Sequence, residues 1–179
     1  GADNVTIDGD DPGTAGTRNL TFQVAATANA GTHCIRLASN STTGADGANN
    51  NTVRNCNLIG GRNSATSTTT SWGILMSNGT AVVTGAYSSL NTVIENNEIT
   101  RCYTGIGAIG VNATYPNTGT IIRNNLIGNA TDANSVGFRG ITLTFTAVST
   151  GGATVSGNDI RVGVSATGYS ASIAGIEVG

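Results

Sequence analysis

The 179-residue sequence predicts an all-β fold, a β-solenoid of about five stacked coils with little or no α-helix. Two short units that recur along the chain, and the alternation of apolar side chains inside one of them, support this prediction. The first unit is a six-residue segment with four copies: Val53–Leu58, Ile94–Ile99, Ile122–Ile127 and Val155–Ile160. Units that repeat every 20 to 50 residues or so, about one coil each, are typical of solenoids, because a single unit cannot bury its own apolar face.

A Gly-Ile unit follows each copy of the first unit. Its copies are Gly73–Met76, Gly105–Ala108, Gly140–Leu143 and Gly175–Val178, and Cys34–Leu37 fits the same frame one repeat earlier. The isoleucine of this unit recurs at positions 35, 74, 106, 141 and 176, in steps of 39, 32, 35 and 35 residues. The unequal steps indicate strands of constant length joined by loops of different length.

Apolar side chains alternate with others inside the Gly-Ile units, as Ile141 and Leu143 do around Thr142. A period of two predicts a strand with one buried face. No stretch carries an apolar stripe at the 3.6-residue period of a helix. We therefore expect strands of successive coils to pair in parallel, about 4.8 Å apart, with Leu20–Phe22 as a degraded copy of the first unit.

Asn97, Asn125 and Asn158 fall in one column of the repeat, and Cys56 fills that column in an earlier coil. Asparagine tolerates left-handed backbone geometry at turns. Stacked amides can also hydrogen-bond from one layer to the next. The column therefore predicts a turn whose asparagine side chains form a ladder, with a small buried thiol at Cys56.

Arg54, Glu95 and Arg123 form a second column, in which the sign of the charge alternates. It predicts a salt-bridge ladder whose exposed pairs contribute about 0 to 1 kcal/mol each. A catalytic alternative makes Glu95 and Glu98 the acid and base of a glycosidase, which needs carboxyl groups about 5 to 9 Å apart. Three residues apart in one strand, they would fall on opposite sides unless a turn intervenes. The sequence thus favours the ladder.

These repeats resemble those of right-handed parallel β-helix proteins, the pectate-lyase-like architecture. The opening segments Asn4–Gly9 and Arg18–Phe22 are similar to β-helical regions of large secreted bacterial surface proteins. The resemblance covers nearly all of the chain and implies one right-handed β-helix domain over residues 1–179, in an extracellular or cell-surface protein. Because this architecture carries lyases, hydrolases, adhesins and tail spikes, function has to be argued from a site.

Motifs for catalysis are missing from the sequence. His33 is the single histidine, no Gly-x-Ser-x-Gly elbow occurs, and a chain without lysine cannot contain a phosphate-binding Gly-Lys-Ser/Thr loop. The Asn-Thr-Asp, Gly-His-Gly and Arg-Ile-Lys motifs that a resemblance to polygalacturonase-type hydrolases would imply do not occur either. We predict no catalytic, cofactor-binding or metal-binding residue.

Two polar features leave alternatives open. The carboxylates of Asp8–Gly13 could hold calcium, which takes several oxygen ligands, although Asp-Pro-Gly is ordinary turn chemistry and the turn is favoured. Cys34, Cys56 and Cys102 cannot all pair with one another and match no zinc-binding spacing. They are three buried thiols, or one disulfide and a leftover thiol, or the source of an intermolecular bridge.

Composition excludes two kinds of partner. The net charge is −2 and only 10% of the residues are charged, so the sequence shows no basic patch for nucleic acid. No apolar run of about 18 residues could span a membrane. Predicted strands reach Val5 at one end and Val178 at the other, without visible capping segments. We expect a domain uncapped at both ends, either part of a longer β-helix or a subunit that stacks end to end.

We therefore predict a non-enzymatic structural or adhesive β-helix, which self-associates through its open ends as the subunit of a surface filament and has surface glycans as a further partner. The alternative is a polysaccharide-binding module, or a polysaccharide lyase or hydrolase. In it, sugar rings would stack on Trp72, Tyr87, Tyr103 and Tyr115. A third interpretation is ice binding through a column of Thr52, Thr92, Thr120 and Thr154.

Overall fold

The computed structural model describes residues 2–25, 31–38, 47–61, 71–77, 88–110, 112–129, 135–146, 152–162 and 174–179. In these residues it contains fifteen β-strands and no helix long and apolar enough to cross a membrane. The strands are β1 (Thr6–Asp8), β2 (Leu20–Gln23), β3 (Thr32–Leu37), β4 (Thr52–Arg54), β5 (Cys56–Ile59), β6 (Ser71–Met76), β7 (Val93–Glu95), β8 (Glu98–Thr100), β9 (Thr104–Ile109), β10 (Ile121–Arg123), β11 (Leu126–Ile127), β12 (Arg139–Thr144), β13 (Thr154–Ser156), β14 (Asp159–Ile160) and β15 (Ala174–Val178).

The strands form three parallel sheets of five strands each. Sheet A has the order β1-β4-β7-β10-β13, sheet B the order β2-β5-β8-β11-β14, and sheet C the order β3-β6-β9-β12-β15. Neighbours in a sheet are three strands apart in the chain, so three consecutive strands make one coil. We number these coils 1 to 5 from the N-terminus. The predicted all-β parallel solenoid of about five coils is confirmed, and its right-handed winding stays a prediction.

Apolar columns that run from coil to coil line the interior. In sheet C the isoleucines pair in the predicted register: Ile35, Ile74, Ile106, Ile141 and Ile176. The three in coils 2 to 4 are fully buried. Sheets A and B complete the core with Val53, Ile94, Ile122, Leu58, Ile99 and Ile127. Each coil supplies one row of side chains to each sheet, and its apolar side chains pack in one core with those of the coils above and below it.

The first sequence unit forms two strands joined at a corner. The corner residue has left-handed φ angles of 57°, 53°, 54° and 62° at Asn55, Asn96, Asn124 and Gly157. The sequence prediction placed this geometry one residue later, at Asn97, Asn125 and Asn158, and is wrong. A left-handed residue redirects the chain from sheet A to sheet B, and the asparagine that follows it then points into the core.

A second left-handed column lies at the corner between sheets C and A, and the sequence reasoning missed it. Its members are Asn4, Asn50, Asn91 and Gly119, with φ between 52° and 63°. Nδ2 of Asn91 donates to Oδ1 of Asn50 at 3.0 Å. This corner is therefore also linked from coil to coil by amide groups.

Coil 1 departs from the repeat by an insertion. Ile7 of β1 pairs with Val53, whereas Leu20 of β2 pairs with Cys56. In coils 2 to 5 the chain turns this corner with one left-handed residue. In coil 1, residues 9–19 form a loop at the same corner instead. Leu20–Phe22 matches only the second half of the first unit, which explains why that copy looks degraded.

Glycine in the Gly-Ile unit is required by packing between coils. A Cβ built on Gly73 would overlap Cγ2 of Ile99, which belongs to sheet B of the next coil. The same relation recurs one and two coils later, for Gly105 with Ile127 and for Gly140 with Ile160. Each glycine leaves the space that the isoleucine methyl of the following coil fills.

All three cysteines are in the thiol form. Cys56 and Cys102 are fully buried, and Cys34 is half-buried. A hydrogen bond with Cys102 lowers the pKa of the Cys34 thiol, whereas burial raises the pKa of Cys56. The predicted small buried thiol at Cys56 is confirmed.

Candidate functional site

The buried asparagine column forms a continuous hydrogen-bonded ladder. Oδ1 of Asn125 accepts hydrogen bonds from the backbone N–H and the Nδ2 of Asn97, both at 3.0 Å. Nδ2 of Asn125 donates to Oδ1 of Asn158 at 2.9 Å and to the carbonyl oxygen of Ile94 at 3.0 Å. Below them, the N–H of Cys56 donates to Oδ1 of Asn97 at 3.1 Å. The predicted ladder is confirmed, and its amide groups hold adjacent coils together.

An ionic ladder runs up the outer side of sheet A. Arg54 Nη2 lies 2.8 Å from Asp8 Oδ2, and Arg54 Nη1 lies 3.8 Å from Glu95 Oε1. Arg123 Nη2 lies 2.6 Å from Glu95 Oε2. The predicted alternation of charge is confirmed, and Asp8 extends it to coil 1. Hydrogen bonds from Asn55 and from the backbone, with the Arg54 guanidinium, hold the pKa of Asp8 below its usual range.

A turn lies between the two carboxylates of the glycosidase alternative, so the prediction that they fall on opposite sides of one strand does not apply. Glu95 ends β7 in sheet A and Glu98 begins β8 in sheet B, with the left-handed Asn96 between them. Glu95 is engaged by two arginines of the ionic ladder, and Glu98 Oε2 lies 3.8 Å from Arg18 Nη1. Both carboxylates therefore pair with arginines, and Glu95 belongs to the ladder that the sequence favoured.

Arg18 connects three coils. Its Nε donates to the carbonyl oxygen of Asn96 at 2.7 Å, and its Nη2 donates to Oδ1 of the same residue at 3.0 Å. Its own carbonyl oxygen accepts a hydrogen bond from Nδ2 of Asn57 at 2.6 Å. The coil-1 insertion thus reaches across coil 2 to coil 3. No signal in the repeat pattern indicates this contact.

The acidic segment Asp8–Gly13 forms turns. Oδ1 of Asp8 accepts from the N–H of Asp10 at 3.0 Å, and Oδ1 of Asp11 accepts from the N–H of Gly13 at 2.9 Å. Oδ1 of Asp10 accepts from the N–H of Thr17 at 3.1 Å. Across the described ranges, no group of three or more His, Cys, Asp or Glu side chains is placed to hold a metal ion. The geometry supports the turn interpretation of this segment.

The aromatic residues of the polysaccharide alternative do not form one exposed platform in the described structure. Trp72 is 4% exposed, so its ring is not open to a sugar. The ring of Tyr103 stacks on that of Phe138, with centroids 4.7 Å apart. Tyr115 is exposed, and Tyr87 lies outside the described residues.

The threonine column of the ice-binding interpretation is wrong. Thr52 and Thr154 share one column of sheet A, in which Val93 occupies the position expected for Thr92. Thr92 and Thr120 lie one residue earlier in their coils, and both are fully buried. The two pairs of threonines belong to different columns, so they form no common flat surface.

The two end coils expose apolar side chains that the inner coils bury. On coil 5, Ile176 is 48% exposed and Val178 is 64% exposed, whereas Ile141 and Leu143 below them are 0% and 5% exposed. On coil 1, Leu20 is exposed. Among the described strands, none pairs with the outer edges of β1, β2 and β3 or of β13, β14 and β15. The face of coil 5 therefore combines exposed apolar side chains with open sheet edges, whereas the sheet C residues Ile35 and Leu37 of coil 1 are buried, at 6% and 9% exposed.

Each coil contributes one strand to each of the three parallel sheets. This topology defines the chain as a parallel β-solenoid, which is compatible with the β-helix class. Comparisons with protein-family models, curated proteins and solved structures find no match to it. The class therefore rests on the topology and register of the sheets, and the more specific resemblance to pectate-lyase-like and bacterial surface proteins stays a prediction.

Proposed function

We propose that this protein is a non-enzymatic structural β-helix that stacks end to end with further copies of itself and forms a filament outside the cell. The exposure of Ile176 and Val178 on coil 5 carries the proposal. Both residues belong to columns that the inner coils bury. A further coil placed on coil 5 would bury them in the same way.

Two physical effects favour stacking. Burying a Val or Ile side chain contributes about 1.5 to 3 kcal/mol. Open edges of parallel sheets also present rows of N–H and C=O groups that pair readily with another strand. A head-to-tail contact of this kind is heterologous, and such contacts produce open filaments when their rotation does not close a ring.

The polar side chains of the described residues support a structural role. The asparagine ladder around Asn125 and the ionic ladder around Glu95 connect one coil to the next. Location outside the cell is supported by the similarity of Asn4–Gly9 and Arg18–Phe22 to regions of secreted surface proteins. Polysaccharide binding has less support, because Trp72 is buried and Tyr103 is stacked on Phe138.

Electron microscopy and light scattering over a range of protein concentrations test the proposal. We expect filaments with an axial repeat of five coils, about 24 Å per copy at about 4.8 Å per coil. Ile176→Asp should abolish them, because it places a carboxylate in an apolar column. Tyr115→Asp, at a residue that is 40% exposed on an inner coil, is the matched control and should leave them intact. A monodisperse monomer at every concentration would refute the proposal.

A further inference from the structure

We infer that the corner between sheets C and A binds an ordered internal water, held between the hydroxyl groups of Thr92 and Thr120. The two threonines lie on coils 3 and 4, and each directly follows a left-handed residue, Asn91 or Gly119. The inference concerns the interior of a single chain, so it does not depend on the proposed end-to-end stacking.

Both hydroxyl groups are buried in the folded chain. Thr92 and Thr120 are each 0% exposed. Among the described residues, neither Oγ1 atom has a hydrogen-bond partner. A buried hydroxyl without a partner destabilises the folded state, and most buried polar groups in proteins therefore bind either another protein group or an ordered water.

The spacing of the two hydroxyl groups fits one bridging water. Val93 pairs with Ile121 in sheet A, so Thr92 and Thr120, one residue earlier, continue the same register. The N–H of Ile121 donates to the carbonyl oxygen of Thr92 at 2.8 Å, which keeps the two backbones together at this level. Equivalent atoms of the two residues are then about 4.8 Å apart. A water that forms bonds of about 2.8 Å to both oxygens makes an angle of about 120° between them, close to the angle that water prefers.

The same corner contains a further buried polar atom that has no partner in the described structure, Nδ2 of Asn117. The Oδ1 of this amide accepts a hydrogen bond from the N–H of Ser89 at 2.9 Å. The amide is therefore only half satisfied, whereas the oxygen and the nitrogen of the Asn125 amide each form two hydrogen bonds. The asparagine ladder satisfies its own polar atoms, and the corner between sheets C and A does not.

Water is the ligand that matches these groups. Water both donates and accepts hydrogen bonds, as a hydroxyl group does, and internal waters typically bind two to four polar partners. Across the described ranges, no group of three or more His, Cys, Asp or Glu side chains is placed to hold a metal ion. An apolar guest would leave the hydroxyl groups unpaired. Thr146, at the same corner, needs no water because its hydroxyl donates to the carbonyl oxygen of Ala108 at 2.9 Å.

Valine substitutions test the inference through the direction of the change in stability. Valine keeps the branched shape of threonine and removes the hydroxyl. If the water is bound, Thr92→Val and Thr120→Val should each lower the folding equilibrium constant about fivefold, the equivalent of one net hydrogen bond. Because both hydroxyl groups share the water, the double variant should lose less than the product of the two single fold-changes.

Chemical denaturation of the full chain, at a concentration below that of association, measures these constants. The matched control is Thr154→Val, because Thr154 is exposed and its column in sheet A already contains Val93. It should change the constant by about twofold or less. Valine variants that are more stable than the wild type would overturn the inference, since they would show that the hydroxyl groups are unpaired. Losses that multiply fully in the double variant would overturn the shared water.

A crystal structure at a resolution that shows ordered waters locates the ligand directly. If the wild-type chain forms filaments, Ile176→Asp supplies a form for crystallisation. We expect electron density for one water within hydrogen-bonding distance of Oγ1 of both Thr92 and Thr120. A structure in which both hydroxyl groups bind protein atoms instead would contradict the site.

Discussion

Removing the Asn125 side chain should destabilise the protein more than any single change at the surface. Asn125 is 1% exposed and stands in the middle of the buried ladder, between Asn97 in coil 3 and Asn158 in coil 5. Asn125→Ala deletes the amide without adding a group that could replace it. The polar partners of the amide remain buried.

The magnitude follows from the contacts of this one side chain. Oδ1 of Asn125 accepts two hydrogen bonds and its Nδ2 donates two. At a net contribution of about 1 kcal/mol each, the four bonds account for about 4 kcal/mol. One of the four lost bonds leaves the backbone N–H of Asn97 buried without an acceptor, and an unpaired buried donor costs about 1 to 3 kcal/mol in place of the usual 1. Because neighbouring contributions are not additive, we expect the free energy of unfolding to fall by about 3 to 5 kcal/mol.

Chemical denaturation measured by circular dichroism, at a concentration below that of association, gives this free energy directly. The matched control is Asn124→Gly, one residue away. Asn124 is exposed and has a φ of 54°, and its column already contains Gly157. Since glycine adopts this backbone geometry without strain, the control should change the free energy of unfolding by about 1 kcal/mol or less.

A loss in Asn125→Ala no larger than the loss in Asn124→Gly would refute this reasoning. It would mean that the ladder amides contribute no more than exposed ones, and that water replaces them without cost. A large loss in both variants would instead mean that the left-handed column of Asn55, Asn96 and Asn124 also stabilises the corner.

Three further outcomes are expected. Arg18→Ala should lower the free energy of unfolding by about 1 to 3 kcal/mol, because it breaks charge-assisted hydrogen bonds to coil 3, whereas Arg161→Ala, in an exposed pair with Asp159, should cost about 0 to 1 kcal/mol. Burial and the charge of Arg36 lower the pKa of His33 below 6.5, so the unfolded chain binds the proton more readily in acid. Stability measured by thermal denaturation should therefore decline as the pH falls below about 6.5, and His33→Gln should remove the part of this decline that His33 causes. The same pH profile in the wild type and in His33→Gln would contradict this role of His33. Iodoacetamide followed by mass spectrometry should modify Cys34 first, because this thiol is half-buried and its pKa is lowered; modification of Cys56 at the same rate in the folded chain would contradict the structure.

The repeat frame predicted the number of coils and the register of sheet C, because side chains such as Ile74 and Ile106 must share one buried column. It could not locate the corner inside the unit Ile94–Ile99. Asn96 and Asn97 are adjacent, and asparagine is compatible with both the left-handed turn and the buried ladder. Only the direction of the side chain relative to the two sheets distinguishes them, and that direction depends on tertiary structure.

The contacts made by coil 1 were beyond sequence reasoning for a different reason. The insertion of residues 9–19 splits the first unit, so the repeat pattern did not align Asp8 with Arg54 and the rest of the ionic ladder. The bond from Arg18 to Asn96 joins residues 78 positions apart, and no periodic pattern contains it. The burial of Trp72 likewise depends on what covers the outer face of sheet C, which the alternation within a strand does not specify.

The glycine column provides one contact that is equivalent in all the inner coils. Gly73 accommodates Ile99 of the next coil, and Gly105 accommodates Ile127 in the same way. If coil 3 were deleted as a unit, Gly73 would meet Ile127, a residue of the same type in the same column. The other columns would not fit in the same way, because the loss of Glu95 would place Arg54 against Arg123, and Thr142 would replace the Gly107 that makes room for Trp72. Changing the number of coils therefore requires matched changes in these two columns.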